Sequence, residues 1–246
     1  MRSLALFGAT YFAGMLLITA PASWLSPLIR HISHEKLSLA NCQGTLWHGS
    51  ATPALHIGKN STLALHTLNW KFKPQALLRG QFQTELSWDD LQTATPMTLT
   101  LSRQAITLSH ARLNMPARVI DELSPFLKPA QFSGNLTLES PQLSYADNHL
   151  LGNATARWNQ AGSALSAVRP LGDYQIELSA AQDGINAVLT TQHGALLLAG
   201  QGNWSPQQGL HFNGTAGASP ATEASLSELL HHLGPEITHG VYRISL

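Results

Sequence analysis

Apolar and polar residues alternate with a period of two over most of the chain beyond residue 36. Because successive side chains of a β-strand point to opposite faces of a sheet, each alternating run predicts a strand with one apolar face. Thr and Gln fill most of the other positions, so we expect the opposite face to be wet, as in antiparallel meanders. The runs are Leu68–Phe72, Phe82–Trp88, Met97–Leu101, Ile106–Leu108, Leu136–Leu138, Tyr174–Leu178 and Ile185–Leu189.

Short turn signals separate or adjoin these runs. Asp183-Gly184 and Asn213-Gly214 are dipeptides of the kind that supply the positive φ angles of tight hairpins. Pro206–Gly209 separates a run that ends at Trp204 from one that begins at Leu210. We therefore predict a sheet built mainly from hairpins, whose edge strands must be blunted or covered.

Two segments depart from the period of two and predict short helices. The first begins at Pro116, places Val119, Ile120 and Leu123 at helical spacing, and should end near Pro125. The second follows Ser219-Pro220. Its apolar stripe is Leu226, Leu229, Leu230 and Leu233, and Gly234 is its expected C-cap. We expect both helices to cover an open end or face of the sheet, with each buried leucine contributing roughly 1.5–3 kcal/mol.

The N-terminal segment from Leu4 to Leu25 contains no charged residue and is long enough to cross a bilayer of about 30 Å as a helix. We predict a cytoplasmic tip at residues 1–3, a transmembrane anchor at residues 4–25, and one β-rich domain at residues 26–246. The alternative is a cleaved signal peptide, because Ala20-Pro21-Ala22 has the spacing of a cleavage site. Both interpretations carry the rest of the chain across the membrane.

Together these patterns predict a mainly β protein: an N-terminal transmembrane helix followed by a curved antiparallel β-sheet domain with two short covering α-helices.

The amino-acid composition agrees with this fold class. The 246 residues include 14 Lys+Arg and 14 Asp+Glu, and only 11% are charged, which excludes a nucleic-acid binder that works through a basic field. The 43% of hydrophobic residues argues against disorder, and the single cysteine, Cys42, cannot form an intramolecular disulfide.

Candidate catalytic and metal-binding residues do not form a recognisable pattern. The twelve histidines include His31-x-x-His34 and the adjacent pair His231-His232, and neither spacing matches a metal motif. The acidic pairs Asp89-Asp90 and Asp121-Glu122 are sequence neighbours, which in a strand face opposite ways. We therefore predict no enzyme activity, no catalytic, cofactor-binding or metal-binding residues, and no cofactor.

One short motif stands out beyond the anchor: Gly44-Thr-Leu-Trp47-His-Gly49-Ser-Ala51. Two glycines that bracket an apolar pair suit a strand that bends or is approached closely by another backbone. We expect a sheet corner with Trp47 in the core. Trp47, Trp70 and the stripe from Leu226 to Leu233 are the predicted structural anchors.

Several of these motifs resemble a known family when they are taken in order along the chain. They are the Gly44–Ala51 motif, the Leu68-x-Trp70-x-Phe72-x-Pro74-x-x-Leu77-Leu78-x-Gly80 segment, Gly200-Gln-Gly202-Asn-Trp204, Phe212-x-Gly214, Pro220 and the Leu226–Gly234 run. This arrangement is similar to that of the bitopic inner-membrane protein N of the bacterial type II secretion system. Residues from about Thr93 to Asn148 carry no motif that matches the family.

The resemblance implies an accessory component of the machine that exports folded proteins from the periplasm through an outer-membrane secretin. It implies a single-pass protein of the bacterial inner membrane with a periplasmic β-rich domain and no catalytic residues. Its implied partners are other inner-membrane platform proteins of the system, the secretin, or both, together with the membrane and without nucleic acid.

The chain also resembles AsmA-like, membrane-anchored envelope proteins that bind or bridge lipid along a sheet. A sheet whose apolar face stays partly open would bind acyl chains, whereas a face closed by the two helices would be a core. The sequence leaves this choice open, and an enzyme of the envelope is the remaining class.

Overall fold

The computed structural model describes residues 15, 19–57, 61–90, 96–123, 127–181 and 184–245. Residues 4–14 and 16–18, which make up most of the predicted anchor, lie outside this set. Among the residues described, no helix combines the length and the apolar character needed to cross a membrane. The chain divides into two compact units, Met1–Ser102 and Arg103–Leu246. The predicted domain of residues 26–246 spans both units, and its boundaries stay a prediction.

The N-terminal unit is an antiparallel sheet preceded by a short helical segment. A 3₁₀ turn at Ala22–Trp24 leads into helix α1 (Leu25–Ile32), and a second 3₁₀ turn covers Pro74–Arg79. The strands are β1 (Leu37–Gly44), β2 (His48–Ile57), β3 (Ser61–Ala64), β4 (Leu68–Phe72), β5 (Phe82–Trp88) and β6 (Met97–Leu101). Their order is β1-β2-β4-β5-β6, and β3 also pairs with β2.

Strand β2 changes its pairing partner along its length. His48–Ala51 pair with β4, whereas Ala54–Ile57 pair with β3. Pro53 lies between the two paired segments, where its carbonyl accepts a hydrogen bond from the Leu65 N–H at 2.8 Å. The core of this unit lies beside the first segment: Trp70, Ala51 and Ala22 are buried together, and Leu25, Leu39, Cys42 and Leu86 pack against them.

The C-terminal unit is a long antiparallel meander. Its strands are β7 (Ala105–Pro116), β8 (Ser133–Ala146), β9 (His149–Gly162), β10 (Gly172–Ala181), β11 (Gly184–Gly194), β12 (Leu196–Ser205), β13 (Gly209–Ala218), β14 (Glu236–Thr238) and β15 (Val241–Ser245). Helix α2 (Val119–Leu123) and a 3₁₀ turn (Lys128–Ala130) lie between β7 and β8, and helix α3 (Glu223–Leu233) follows β13. Strands β7 to β13 are neighbours in chain order, and β15 then pairs with both β13 and β14.

The core of the C-terminal unit lies where α3 packs on β13 and β15. Leu226 and Leu230 are fully buried there against Leu171, Leu196, Ala216 and Tyr242. Leu229 is partly buried, and Leu233 at the end of the helix is 37% exposed. The predicted leucine stripe is thus a structural anchor at two of its four positions, and Gly234 is the C-cap residue as predicted.

The mainly β, antiparallel fold with few helices is confirmed, but one predicted helix start and one predicted turn are wrong. Pro116 is the last residue of β7, and helix α2 begins only at Val119. Asn213-Gly214 lies inside β13, where Gly214 pairs with Gly200 of β12. The ring of Phe212 packs over both glycines, and a Cβ at Gly214 would lie 2.9 Å from Phe212 Cε1. Glycine is needed here for close packing of a ring and not for a turn. The predicted turn at Pro206–Gly209 is confirmed, and Asp183 and the predicted helix end at Pro125 lie outside the described residues.

Candidate functional site

The glycine-tryptophan motif forms the corner between β1 and β2. Gly44 adopts a φ of +83° and pairs with Gly49, which in turn pairs with Trp70 of β4. The indole N–H of Trp70 donates to the backbone oxygens of Thr45 at 3.2 Å and Leu46 at 3.1 Å. A Cβ at Gly49 would lie 2.7 Å from Trp70 Cζ2, so glycine leaves room for the ring. The motif therefore forms a corner against which the Trp70 side chain packs.

The expectation that Trp47 lies in the core is wrong. Its side chain is half-buried, and it packs against Phe72, with ring centroids 5.0 Å apart. Phe72 then stacks on Phe82 at 4.6 Å. Trp70 is only 7% exposed and occupies the buried position beside the corner. The corner is as predicted, and of the two tryptophans predicted as structural anchors, Trp70 is the buried one.

The 3₁₀ turn between β4 and β5 presents an apolar knob, Leu77 and Leu78, to solvent. Leu77 is 54% exposed and Leu78 is 91% exposed. A cavity of about 300 Å³ lies beside the turn, and its lining includes an ion pair between Lys73 Nζ and Glu85 Oε1 at 2.8 Å. A leucine with this exposure contributes little burial energy to the fold. Its side chain is available for contact with another molecule.

The C-terminal sheet has one apolar face that its own chain covers only in part. Paired residues form a row across eight strands: Leu113, Leu138, Ala156, Ile176, Leu189, Gly200, Gly214 and Ile244. All eight are partly buried and none is fully buried. We call the surface that carries this row the apolar face. The buried cluster under α3 occupies one end of it.

Irregularities in β7 and β8 keep this face continuous. Leu108 and Leu113 are five residues apart in β7, so strict alternation would put them on opposite faces. Between them, His110 has a φ of +54° and interrupts the ladder with β8, whose register is the same on both sides of it. The register of β8 with β9 shifts between Glu139 and Gln142, so β8 carries a bulge there. These irregularities select which side chains reach the apolar face.

The opposite face carries charge. Glu139 accepts ion-pair contacts from Arg112 at 2.8 Å and from Arg157 at 2.6 Å. The charged trio lies on neighbouring strands β7, β8 and β9 and is partly exposed. The contrast between the two faces agrees with the predicted wet and apolar sides. It also gives the sheet one surface suited to apolar ligands or protein segments and one suited to water.

A groove of about 420 Å³ lies at the hairpin ends of this sheet. Its apolar lining includes Tyr145, Leu150, Ile185 and Trp204, and the first, second and fourth are 45%, 38% and 44% exposed. The Tyr145 hydroxyl donates to Asn148 Oδ1 at 2.8 Å, which holds the ring at the groove wall. The residues Ile185 and Trp204 pair across β11 and β12 and extend the apolar face to the sheet end.

One prediction about the acidic pairs is wrong. Asp89 and Asp90 follow the last residue of β5, so strand alternation does not apply to them, and both reach His66. His66 Nε2 lies 3.4 Å from Asp90 Oδ2, and His66 Nδ1 lies 4.0 Å from Asp89 Oδ1. In the described part of the chain, this is the one group of at least three such residues whose ligand atoms all lie within 4.8 Å of one another. All three residues are exposed, and the prediction of no metal site stays a prediction.

The other residues considered for chemistry have structural contacts. The His231 ring packs edge-on against Tyr242 at 5.1 Å, and His232 Nδ1 lies 2.7 Å from the Glu228 carbonyl. Asp121 accepts a hydrogen bond from the Phe132 N–H at 3.0 Å. These contacts position α3 and the segment after α2.

The strongest electrostatic perturbation belongs to a buried tyrosine. Burial raises the pKa of Tyr174, and the nearby carboxylate of Asp173 raises this pKa further. The Tyr174 hydroxyl donates to the Leu196 carbonyl at 3.0 Å, so the neutral form is the one that the fold uses. Its role is structural, at the start of β12.

Comparisons with known proteins agree along almost the whole chain. A family model described as "Type II secretion system (T2SS), protein N" matches residues 35–245. A "Type II secretion system protein N" from Klebsiella pneumoniae is 27% identical over 242 residues, which cover 97% of this chain and 92% of that protein. No solved structure matches the chain significantly.

Proposed function

Because the chain belongs to the type II secretion system protein N family, we propose that it is an inner-membrane anchored accessory component of that system. In this proposal the anchor predicted at residues 4–25 crosses the inner membrane with its part before Ala20, because Ala20 and Ala22 are buried in the N-terminal unit. Residues 1–3 lie in the cytoplasm, and residues 26–246 lie in the periplasm. The protein helps to export folded proteins across the outer membrane. The family match over residues 35–245 is the observation that carries this proposal.

The protein acts by binding other components of the system and not by catalysis. Its partners are inner-membrane platform proteins, the outer-membrane secretin, or both. The knob of Leu77 and Leu78 is a suitable contact, because Leu78 is 91% exposed and the fold gains little from its side chain. The ion pair of Lys73 and Glu85 beside it supplies a polar rim of the kind that surrounds apolar contacts at protein interfaces.

The experiment is complementation of an in-frame deletion in a bacterium that carries this protein, with the secreted enzymes measured in the medium and in the periplasm. We expect the deletion to leave these enzymes in the periplasm and the wild-type chain to restore export. A Leu78→Ser variant should restore export poorly at a normal protein level. Leu165→Ser is the matched control, because Leu165 is 57% exposed in the other unit. Unchanged export in the deletion strain would contradict the proposed function.

A second candidate function is binding or bridging of lipid along the apolar face of the C-terminal sheet. The observation that favours it is the row of partly buried apolar residues, which α3 covers only at one end. A photo-crosslinking amino acid at Leu189, on the apolar face, tests this function. The control is the neighbouring residue Val188, which is 40% exposed on the opposite face.

The crosslinked products distinguish the two functions. Phospholipid adducts from position 189 and none from position 188 would support lipid binding. Adducts of secretion-system proteins from position 78 or 189 would support the accessory role and identify the partner. An absence of lipid adducts from position 189 in intact cells would contradict the second candidate.

A further inference from the structure

Helix α1 carries a stripe of large apolar side chains that face solvent. Trp24 is 57% exposed at its N-cap, Leu28 is 53% exposed, and Ile32 at its last position is 68% exposed. Residues four apart on an α-helix are about 40° apart around its axis, so the three side chains lie within an arc of about 80°. We call this arc the exposed stripe. The side of a helix that contacts water is normally polar, whereas the exposed stripe is apolar.

The side of α1 next to the sheet is fixed by different residues. Ser26 Oγ donates to the Leu39 carbonyl at 3.0 Å. Ser33 Oγ accepts from the Leu37 N–H at 3.0 Å and donates to the Leu37 carbonyl at 3.1 Å. Leu25 packs against the core around Trp70. The two serines bond backbone groups of β1 that do not take part in its ladder with β2, so α1 covers that edge of the sheet.

The chain before α1 indicates what covers the exposed stripe. The uncharged run from Leu4 ends at Leu25, which is the first residue of α1. The Ala20 carbonyl accepts a hydrogen bond from the Leu46 N–H at 2.9 Å, so the end of the run is tied to the N-terminal sheet. If the part of the run before Ala20 spans the bilayer, α1 begins within a few residues of the bilayer surface. Tryptophan is enriched at that level of membrane proteins.

The polar side of the helix agrees with a surface position. Arg30 lies on the side away from the stripe and forms an exposed ion pair with Glu35 at 3.3 Å. Lys36 is exposed just beyond the helix. A helix with an apolar arc and a charged opposite arc lies in the plane of the interface, with its apolar side in the boundary between headgroups and acyl chains.

We propose that α1 lies in the membrane–water interface on the periplasmic side, with Trp24, Leu28 and Ile32 inserted among the phospholipids. The serine bonds then hold β1 beside the bilayer surface and fix the tilt of the N-terminal sheet against it. This inference rests on the proposed membrane anchor. It adds a lipid contact that sets the position of the periplasmic unit.

The experiment uses the full chain in vesicles of phosphatidylethanolamine and phosphatidylglycerol. A Cys42→Ser background allows a single nitroxide label at Leu28→Cys or Ile32→Cys, with Arg30→Cys as the matched control on the same helix. Collisions with oxygen, which partitions into lipid, and with a water-soluble nickel complex report the depth of each label. We expect labels at 28 and 32 to lie about 5–10 Å below the headgroup boundary and the label at 30 to lie in water.

Flotation of the same vesicles separates the two proposals. If the chain does not float with the vesicles, the anchor fails, and this inference fails with it. If the chain floats but labels at 28 and 32 are as accessible to the nickel complex as the label at 30, this inference alone is overturned. Labels shielded from both oxygen and nickel would show that protein covers the stripe, which also overturns it. Unchanged circular dichroism of each labelled chain confirms that the fold is intact.

Discussion

Removing the Trp70 side chain should destabilise the N-terminal unit more than any change at Trp47. Trp70 is 7% exposed, packs with Ala22 and Ala51, and donates its indole N–H to two carbonyls of the corner. Replacing a buried tryptophan by alanine costs about 3–5 kcal/mol. Trp47→Ala removes a half-buried ring and its contact with Phe72, which together are worth about 1–2 kcal/mol. Trp70→Phe keeps most of the ring volume and loses the N–H donor, at a cost of about 1–2 kcal/mol.

Hydrogen exchange of the full chain in detergent micelles measures these costs locally. The most protected amides of β4 report the free energy of opening of this unit. At about 1.4 kcal/mol per tenfold change, Trp70→Ala should lower their protection by about a hundredfold to a few thousandfold. The two milder variants should lower it by roughly tenfold. If Trp47→Ala lowered protection as much as Trp70→Ala, the assignment of Trp70 as the anchor of the corner would be refuted.

Three further predictions concern the C-terminal unit. Leu226→Ala, at a fully buried position, should lower the free energy of unfolding by about 2–5 kcal/mol, whereas Leu233→Ala should lower it by less than about 1 kcal/mol in the same urea titration. The folded state raises the pKa of Tyr174, so the unfolded chain releases this proton at a lower pH than the folded chain. The free energy of unfolding should therefore be constant below about pH 10 and fall above it. Tyr174→Phe should remove this part of the alkaline loss, although it also removes the hydrogen bond to Leu196. Glu139→Gln should cost no more than about 1 kcal/mol in low salt, and the difference from wild type should shrink in 1 M salt.

The sequence predicts the strands well because one period fits each of them. Tyr174–Leu178 and Ile185–Leu189 alternate without interruption and lie in β10 and β11. The misplaced turn at Asn213-Gly214 has a physical cause, since a glycine can serve a turn or a neighbouring ring and the dipeptide alone does not distinguish them. The irregularity at His110 is a further limit, because Leu108 and Leu113 reach the same face although they are five residues apart.

The functional surfaces were harder to predict than the strands. Alternation tells which residues share a face, but it does not tell what covers that face. Trp47 and Trp70 are both large and apolar, and only the register between β2 and β4 puts Trp70 beside Gly49. The exposure of Leu78 carries no sequence signal, because a 3₁₀ turn presents apolar residues without a regular period. His66 lies more than twenty residues before Asp89 and meets it only through the pairing of β4 with β5.

On the C-terminal sheet, the side chains that stabilise the fold are separate from the apolar side chains that stay accessible. Pairing of strands β7 to β13 satisfies the backbone hydrogen bonds whatever lies over the faces, so the ladder itself does not require a second layer. The largest side chains that are fully buried, Leu226 and Leu230, lie on α3. Further along the same face, Ile176 and Leu189 keep part of their surface in water, and extended apolar surface of this kind promotes association. Changes under α3 should therefore act on folding, whereas changes at Leu189 should act mainly on the binding proposed for the apolar face.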